Sequence, residues 1–144
     1  MNRDHFNLKD LRQTYTKGQL LEENLAEEPF EQFKHWFNEA SDCESIIEPN
    51  VMTLATADRH GKPNARIVLL KGIDEKGFLF YTNYESQKGK ELAENPLATL
   101  LFLWAPLERQ VRIEGKVEKV SAATSDEYFS SRPKGSRIGA IVSP

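Results

Sequence analysis

The sequence predicts a mainly β protein, an antiparallel barrel with peripheral helices, from three observations. Five apolar segments with strand-like alternation lie between residues 51 and 120, and short turns join most of them. Helical spacing of apolar residues appears only outside these segments. The 144 residues, 39% hydrophobic and 28% charged, fit one domain with one core.

The chain before the first strand divides into an arm and a helix. Residues 1–28 are polar and charge-rich with little periodicity, so we expect an arm that orders only on contact. A helix follows, with Pro29 suited to its first position. Its apolar stripe at helical spacing consists of Phe30, Phe33, Phe37 and Ala40. We interpret the stripe as core packing and not as a ligand site.

Five strands follow as a meander that one helix interrupts. The predicted strands are residues 51–57, 62–73, 78–83, 97–104 and 109–120, and the predicted helix is residues 86–94. Turns at "DRHG" and "DEKG" join the first three strands. The end of the chain predicts two short helices broken at Pro133. Thr124 and Glu127 have the spacing of a capping box for the first, and the second starts near Ser136.

Composition argues against several classes of protein. A net charge of −3 disfavours nucleic-acid binding by general charge, so any anion site is local. Cys43 is the single cysteine and no apolar run suits a signal peptide or membrane span, so we expect a soluble, cytoplasmic protein. His5, His35 and His60 lie far apart, so no metal site is predicted. Without a nucleophile elbow or a Gly-rich phosphate loop, difficult chemistry would need an organic cofactor.

Two predicted helix starts carry cations where the helix dipole favours anions. In "FYTNYESQKGKEL" a strand ends at Tyr81 and Thr82. A helix then opens at Ser86, Gln87 and Lys88, so hydroxyls, backbone N–H groups and an ammonium could converge on one phosphate. The alternative is an ordinary serine cap followed by a solvated lysine.

The second such place is "EYFSSRPKGSRIGA", where Tyr128, Arg132 and Ser136 recur every four residues. Pro133 breaks the helix, so these side chains could converge around a turn, with Arg132 making a bidentate contact to phosphate. The alternative is an arginine that caps helix carbonyls. Two such places in one chain predict two phosphorylated ligands, a cofactor and a substrate.

The strand "RIVLLK" is apolar enough for a core yet has a cation at each end. In an ideal strand Arg66 and Lys71 point to opposite faces, about 16 Å apart at roughly 3.3 Å per residue. They therefore contact different parts of a long ligand, or a bulge re-aims one of them. Gln110 lies on the polar face of the last strand, where a solvated glutamine is the alternative.

Together these segments resemble the pyridoxine/pyridoxamine 5′-phosphate oxidase family. The resemblance follows nearly the whole chain in order, through "LRQTYTKG", "RIVLLK", "FYTN", "SQK", "LERQVRIEGK" and "YFSSRPKGSRIGA". It implies a split β-barrel, residues 29–144, that binds flavin mononucleotide (FMN) at a homodimer interface. It also implies that residues 1–28 are a mobile arm over the substrate.

The resemblance further implies roles for individual residues. The expected FMN contacts are Arg66, Ile67, Val68, Leu69, Leu70, Lys71, Tyr81, Thr82, Gln87, Lys88 and Gln110. The expected substrate contacts are Arg12, Gln13, Thr14, Tyr15, Lys71, Tyr128, Arg132 and Ser136. Gln87 stands where many relatives have arginine. In the family, further strands after the position of "AIVSP" add flavin contacts and an Arg-x-His pair. The sequence given ends at "AIVSP" and does not include them.

The implied reaction oxidises pyridoxamine or pyridoxine 5′-phosphate to pyridoxal 5′-phosphate. A hydride-like transfer reduces the flavin, dioxygen reoxidises it to give hydrogen peroxide, and the amine substrate loses ammonia by imine hydrolysis. No side chain is expected to act as a strong acid or base, because the protein orients two phosphates and two rings. The alternatives are a flavin- or pyridoxal-phosphate-binding barrel without turnover and a flavin reductase on a similar barrel. The reductase leaves Tyr128, Arg132 and Ser136 unexplained.

Overall fold

The computed structural model describes residues 8–74, 76–82 and 87–120. This part of the chain contains helices α1 (Pro29–Asp42) and α2 (Gln87–Glu94), and strands β1 (Val51–Ala57), β2 (Pro63–Leu69), β3 (Gly72–Asp74), β4 (Gly77–Leu79), β5 (Leu97–Trp104) and β6 (Arg109–Lys116). Short 3-10 turns lie at Leu8–Asp10, Glu22–Asn24 and Ala105–Leu107. Four strands form an antiparallel sheet in the order β2-β1-β5-β6, and β3 and β4 form a separate hairpin.

The core lies on one face of the four-stranded sheet, because alternate residues of β1 and β5 point there. Its largest fully buried side chains are Met52, Leu54, Phe102 and Trp104. Helix α1 covers this face with Phe33, whose ring centroid lies 5.2 Å from that of Phe102 and 6.0 Å from that of Trp104. The predicted stripe on α1 is therefore confirmed as core packing.

The prediction of one strand over residues 62–73 is wrong, because this segment forms two strands that belong to two different sheets. After β2 the Leu70 N–H donates to Asn50 O at 2.8 Å, and the Lys71 N–H donates to Leu79 O at 2.8 Å. The chain thus leaves the four-stranded sheet at Leu70 and enters the β3–β4 hairpin. The described residues therefore form six strands where five were predicted.

Two strand ends also differ from the prediction. Strand β4 ends at Leu79 and not at residue 83, because its partner β3 is only three residues long. Strand β6 ends at Lys116 and not at residue 120, because Lys116 pairs with Leu97, the first residue of β5. Just beyond Lys116 the Val117 N–H still donates to Pro96 O at 2.7 Å, and the described residues after it take no part in a strand.

The other face of the sheet, which we call the open face, is uncovered within the described chain. It is largely apolar on β1, β2 and β5 and polar on β6, where Arg112 lies opposite Leu101. Ile67 of β2 and Leu97 and Leu103 of β5 are 64%, 63% and 68% exposed. Thr53 of β1 pairs with Ile67 on one side and Leu101 on the other, so these residues form one row across the sheet. A contiguous exposed apolar face of this kind is typical of a protein–protein interface. Among the described residues, no helix has the length and apolar character needed to cross a membrane.

Candidate functional site

Arg66 lies on the core face of the sheet, at the end that α2 covers. Its Nη1 donates to Leu54 O at 3.2 Å and to Thr56 Oγ1 at 2.7 Å, and its Nη2 donates to Glu91 Oε2 at 3.3 Å. The side chain is 19% exposed. The Nε–H and the second Nη2 hydrogen have no partner among residues 8–74, 76–82 and 87–120. The guanidinium is therefore held rigidly and keeps two donors available.

Glu91 of α2 is the buried carboxylate that organises this end of the sheet. It accepts hydrogen bonds from the Thr56 hydroxyl, from Gln87 Nε2 at 3.1 Å and from Asn64 Nδ2 at 3.4 Å, in addition to Arg66. The Thr56 hydroxyl contributes most to lowering the pKa of Glu91 to about 2, and burial opposes the shift only in part. Glu91 is therefore ionised at neutral pH and fixes α2 against β1 and β2.

Glu91→Gln is expected to reduce the free energy of unfolding at neutral pH and to have little effect on it in acid. Because the folded pKa of about 2 lies below the ordinary glutamate value of 4.5, the stabilisation is complete above pH 4.5 and disappears as the pH falls toward 2. The difference in Tm between parent and variant should thus be several degrees at pH 7 and shrink steadily below pH 4.5. Glu94→Gln, at an exposed position of the same helix, serves as the control. A difference that does not change with pH would contradict the assignment.

Lys88 lies in the first turn of α2, beside Arg66. Burial lowers the pKa of Lys88, and the positive charge of Arg66 lowers it further. The first turn of this helix contains no acidic residue. Two neighbouring cations at a helix N-terminus repel each other, so an anion bound there relieves the repulsion.

Thr82, which precedes this helix in the chain, carries a buried hydroxyl. Its Oγ1 is inaccessible to solvent and makes no hydrogen bond to any residue that the structure describes. An unpaired buried hydroxyl costs about 1–3 kcal/mol. A ligand with a polar group at this position would satisfy it.

The other predicted cofactor contacts do not all lie near this cluster. Side chains of Ile67 and Leu69 alternate to the open face of β2, whereas Val68 and Leu70 pack toward the core. Gln110 is exposed on β6, opposite Leu103. Because β2 and β6 are the two edges of the sheet, three strand spacings or about 14 Å separate them. One protomer therefore does not bring Gln110 to Arg66.

Lys71 lies where β2 gives way to the hairpin and borders a cavity of about 360 Å³. Apolar side chains from α1 and from the β2–β3 junction line the cavity, namely Phe33, Phe37, Leu70 and Ile73. The predicted substrate contacts Arg12, Gln13, Thr14 and Tyr15 are exposed in the arm. Tyr128, Arg132 and Ser136, and the helices predicted around them, lie outside the described residues, as does Ser86.

Sequence reasoning missed Thr56, Asn64 and Glu91. Thr56 and Asn64 face each other across β1 and β2, and their polar side chains break the apolar alternation on the core face. Glu91 follows Gln87 by one helical turn, which places both on one side of α2. The facing polar pair on β1 and β2 and the one-turn spacing of Gln87 and Glu91 are the sequence patterns that could have indicated these residues. The described chain contains no group of three or more His, Cys, Asp or Glu residues that could hold a metal ion.

Solved structures with the same architecture define the class. The structure is similar to that of PhzG from Burkholderia lata 383, in complex with tetrahydrophenazine-1-carboxylic acid, with a TM-score of 0.78, 27% identity, and coverage of 82% of this chain and 58% of that one. It is also similar to a pyridoxamine 5′-phosphate oxidase-related, FMN binding protein from Nostoc punctiforme, with a TM-score of 0.62, 16% identity, and coverage of 83% and 68%. The chain has the split-barrel fold of these proteins, as the sequence predicted.

Sequence comparison then gives the family. The family model of pyridoxamine 5′-phosphate oxidase matches residues 39–144. The pyridoxine/pyridoxamine 5′-phosphate oxidase of Bordetella pertussis is 62% identical over 136 residues, which cover 94% of this chain and 64% of that protein. That of Salinibacter ruber is 58% identical over 137 residues, covering 95% and 63%. The chain belongs to the pyridoxamine 5′-phosphate oxidase family. It spans slightly less than two thirds of the length of these two relatives, 64% and 63%.

Proposed function

We propose that the chain binds FMN and oxidises pyridoxamine or pyridoxine 5′-phosphate to pyridoxal 5′-phosphate, with dioxygen reduced to hydrogen peroxide. The observation that carries the proposal is the pair of cations at the start of α2. Arg66 and Lys88 come from different elements, lie close enough for the charge of one to lower the pKa of the other, and share this place with a helix N-terminus. Membership of the family supports the same reaction class.

The phosphate of FMN fits this cluster on three grounds. Among the described residues, two N–H donors of Arg66 have no partner, and its other donors fix its orientation. The N-terminus of α2 carries the positive end of the helix dipole, which favours an anion. The unpaired Thr82 hydroxyl lies just before it in the chain and would gain a partner. Gln87 Nε2 donates a hydrogen bond to the Glu91 carboxylate. Gln87 therefore supports the phosphate site indirectly, by holding that carboxylate in place.

The substrate site is proposed around Lys71, with Tyr128, Arg132 and Ser136 binding its phosphate and the arm residues Arg12–Tyr15 covering it. Bound FMN would supply the redox chemistry, by accepting a hydride from the substrate's exocyclic carbon and passing its two electrons to dioxygen. The hydride's proton and the proton that the substrate's hydroxyl or amino group releases would complete hydrogen peroxide. The chain's own task is to bind and orient both phosphates, and to exclude water from the space between them. No described side chain is required as a general acid or base.

Peroxide release tests this function directly. The purified chain is mixed with FMN and pyridoxamine 5′-phosphate in air, and hydrogen peroxide and pyridoxal 5′-phosphate are measured together. We expect equal amounts of both products. Flavin binding without either product would instead identify a non-catalytic flavin-binding barrel.

We also propose that the open face forms a homodimer interface. Exposed apolar side chains of β2 and β5 follow that face, and Gln110 borders it at the far edge. Burial against a second copy would remove this apolar surface from water.

Leu103→Lys is expected to dissociate that dimer, because a lysine on the open face, beside Gln110, would be buried without a partner charge. The dimer dissociation constant should rise roughly tenfold or more. Leu20→Lys is the matched control, since Leu20 is 69% exposed against 68% for Leu103 but lies in the arm. Sedimentation velocity gives the result. An FMN-loaded parent that sediments as a monomer would refute the interface.

A further inference from the structure

A carboxylate in the turn between β5 and β6 binds the arm. Glu108 Oε2 accepts hydrogen bonds from the backbone N–H groups of Thr16 at 2.7 Å and Lys17 at 2.9 Å. These bonds join residues 92 and 91 positions apart. Each residue from 8 to 28 is exposed, so burial does not hold the arm to the barrel. The Glu108 carboxylate is therefore a specific point of attachment.

The turn itself does not explain a glutamate at this position. Glu108 has φ 52° and ψ 44°, a left-handed conformation that glycine and asparagine adopt more readily. Its neighbour Arg109 pairs with Glu39 at 3.3 Å and stacks on the Trp36 ring at 4.9 Å, which fastens the turn to α1. The Glu108 carboxylate thus projects from a turn that is fixed to α1. Compared with the glycine or asparagine that this backbone conformation favours, a glutamate here adds the hydrogen bonds to the arm.

The attachment point lies within reach of the proposed substrate site. The sheet is antiparallel in the order β2-β1-β5-β6, so the end of β2 and the start of β6 lie at the same end of the sheet. About 14 Å separates those two edges. Arg12 precedes Thr16 by four residues, which span about 14 Å when extended. A strap consisting of Arg12–Tyr15, held at Thr16, can therefore extend as far as Lys71 and not much farther.

We infer that Glu108 is a positioning residue that fixes the base of this strap, so that the strap closes over a phosphorylated ligand held at Lys71. The identity of the ligand rests on the proposed function, whereas the attachment of the arm does not. An arm attached at Thr16 samples a small volume around the site. Without the Glu108 bonds, the next hydrogen bond between the arm and α1 that the described residues show is from the Ala26 N–H to Gln32 Oε1. The arm would then sample a larger volume, and its effective concentration over the site would fall.

Glu108→Asn tests the attachment without disturbing the turn, because asparagine tolerates the left-handed conformation and is too short to reach the arm. We expect amide hydrogen exchange at Thr16 and Lys17, followed by NMR in the ligand-free protein, to accelerate by about fivefold. Glu114→Gln is the control, since Glu114 is an exposed glutamate of β6 that pairs with Arg112. Unchanged exchange at both amides in Glu108→Asn would overturn the attachment.

Ligand binding tests the positioning role. In FMN-loaded protein, Glu108→Asn should raise the Kd for pyridoxamine 5′-phosphate by about three- to tenfold and leave the Kd for FMN unchanged. Lys17→Pro removes one donor without altering Glu108 and should weaken substrate binding in the same direction. The double variant should be no weaker than Glu108→Asn alone, because both changes remove one interaction.

Three results would overturn the role in distinguishable ways. Faster exchange with an unchanged substrate Kd would show that the attachment does not position the strap. Parallel loss of FMN and substrate affinity would show a general effect on the barrel. Failure of the parent to bind FMN or pyridoxamine 5′-phosphate would refute the proposed function and the positioning role together, while the exchange rates would still decide whether Glu108 holds the arm.

Discussion

Lys88→Ala is expected to weaken FMN binding by about ten- to a hundredfold, on the order of 1.5–3 kcal/mol for one charge-assisted contact to phosphate. Lys88 is partly buried at the start of α2, and the positive charge of Arg66 lowers its pKa. A bound phosphate would offset that repulsion, so removing the ammonium weakens the phosphate contact specifically. Riboflavin, which lacks the phosphate, should bind parent and variant with nearly equal affinity.

Lys90→Ala is the matched control for this variant. Lys90 is an exposed lysine in the same helix, two residues from Lys88. Its replacement by alanine removes the same charge from the protein as a whole. Fluorescence titration of both variants with FMN and riboflavin separates a local contact from long-range attraction. Equal losses of FMN affinity in Lys88→Ala and Lys90→Ala would show that Lys88 acts only through general charge.

Arg132→Ala is expected to weaken binding of pyridoxamine 5′-phosphate by about ten- to a hundredfold while FMN stays bound. The reason is the sequence "SRPKGS", where Pro133 disfavours a continuous helix, so Arg132 and Ser136 are proposed to converge on one anion. Loss of a bidentate contact costs roughly 1.5–3 kcal/mol. Titration of FMN-loaded protein gives the affinity, and the visible flavin spectrum reports cofactor retention in the same sample.

Two comparisons isolate the phosphate contact of Arg132. Lys134→Ala removes a charge from the same turn and should have a much smaller effect. Unphosphorylated pyridoxamine should bind Arg132→Ala and parent almost equally. If phosphorylated and unphosphorylated ligands weaken together, or if flavin is lost in step with substrate affinity, Arg132 is a structural cap and the second phosphate site lies elsewhere.

The fold could be predicted from the sequence where alternation alone determines structure. Strand β1 and strand β5 have the predicted bounds, since each strand contributes one buried face to the core. The division of residues 62–73 into β2 and β3 could not be predicted. The apolar pattern continues through Leu70, and only the pairing partner changes, from β1 to β4. A change of partner depends on the tertiary arrangement and leaves no mark on local periodicity.

The candidate site could be predicted in part for a similar reason. The unusual cation at the start of α2 indicated Lys88, and the cation within an apolar strand indicated Arg66. Glu91 escaped notice because a glutamate inside a helix is ordinarily exposed, and its burial depends on Thr56 and Asn64 from two other strands. Glu108 escaped notice because its hydrogen bonds are to backbone atoms about ninety residues away, which no sequence pattern reveals.

The most direct test of the account compares the affinity of the unaltered chain for FMN and for riboflavin. The two flavins share the ring system and differ at the phosphate that the start of α2 is proposed to bind. With Arg66, Lys88, the helix N-terminus and Thr82 acting together, we expect isothermal titration to give a Kd for FMN at least about a hundredfold lower than that for riboflavin. Equal affinity for the two flavins would contradict the account, because the paired cations would then have no phosphate to bind.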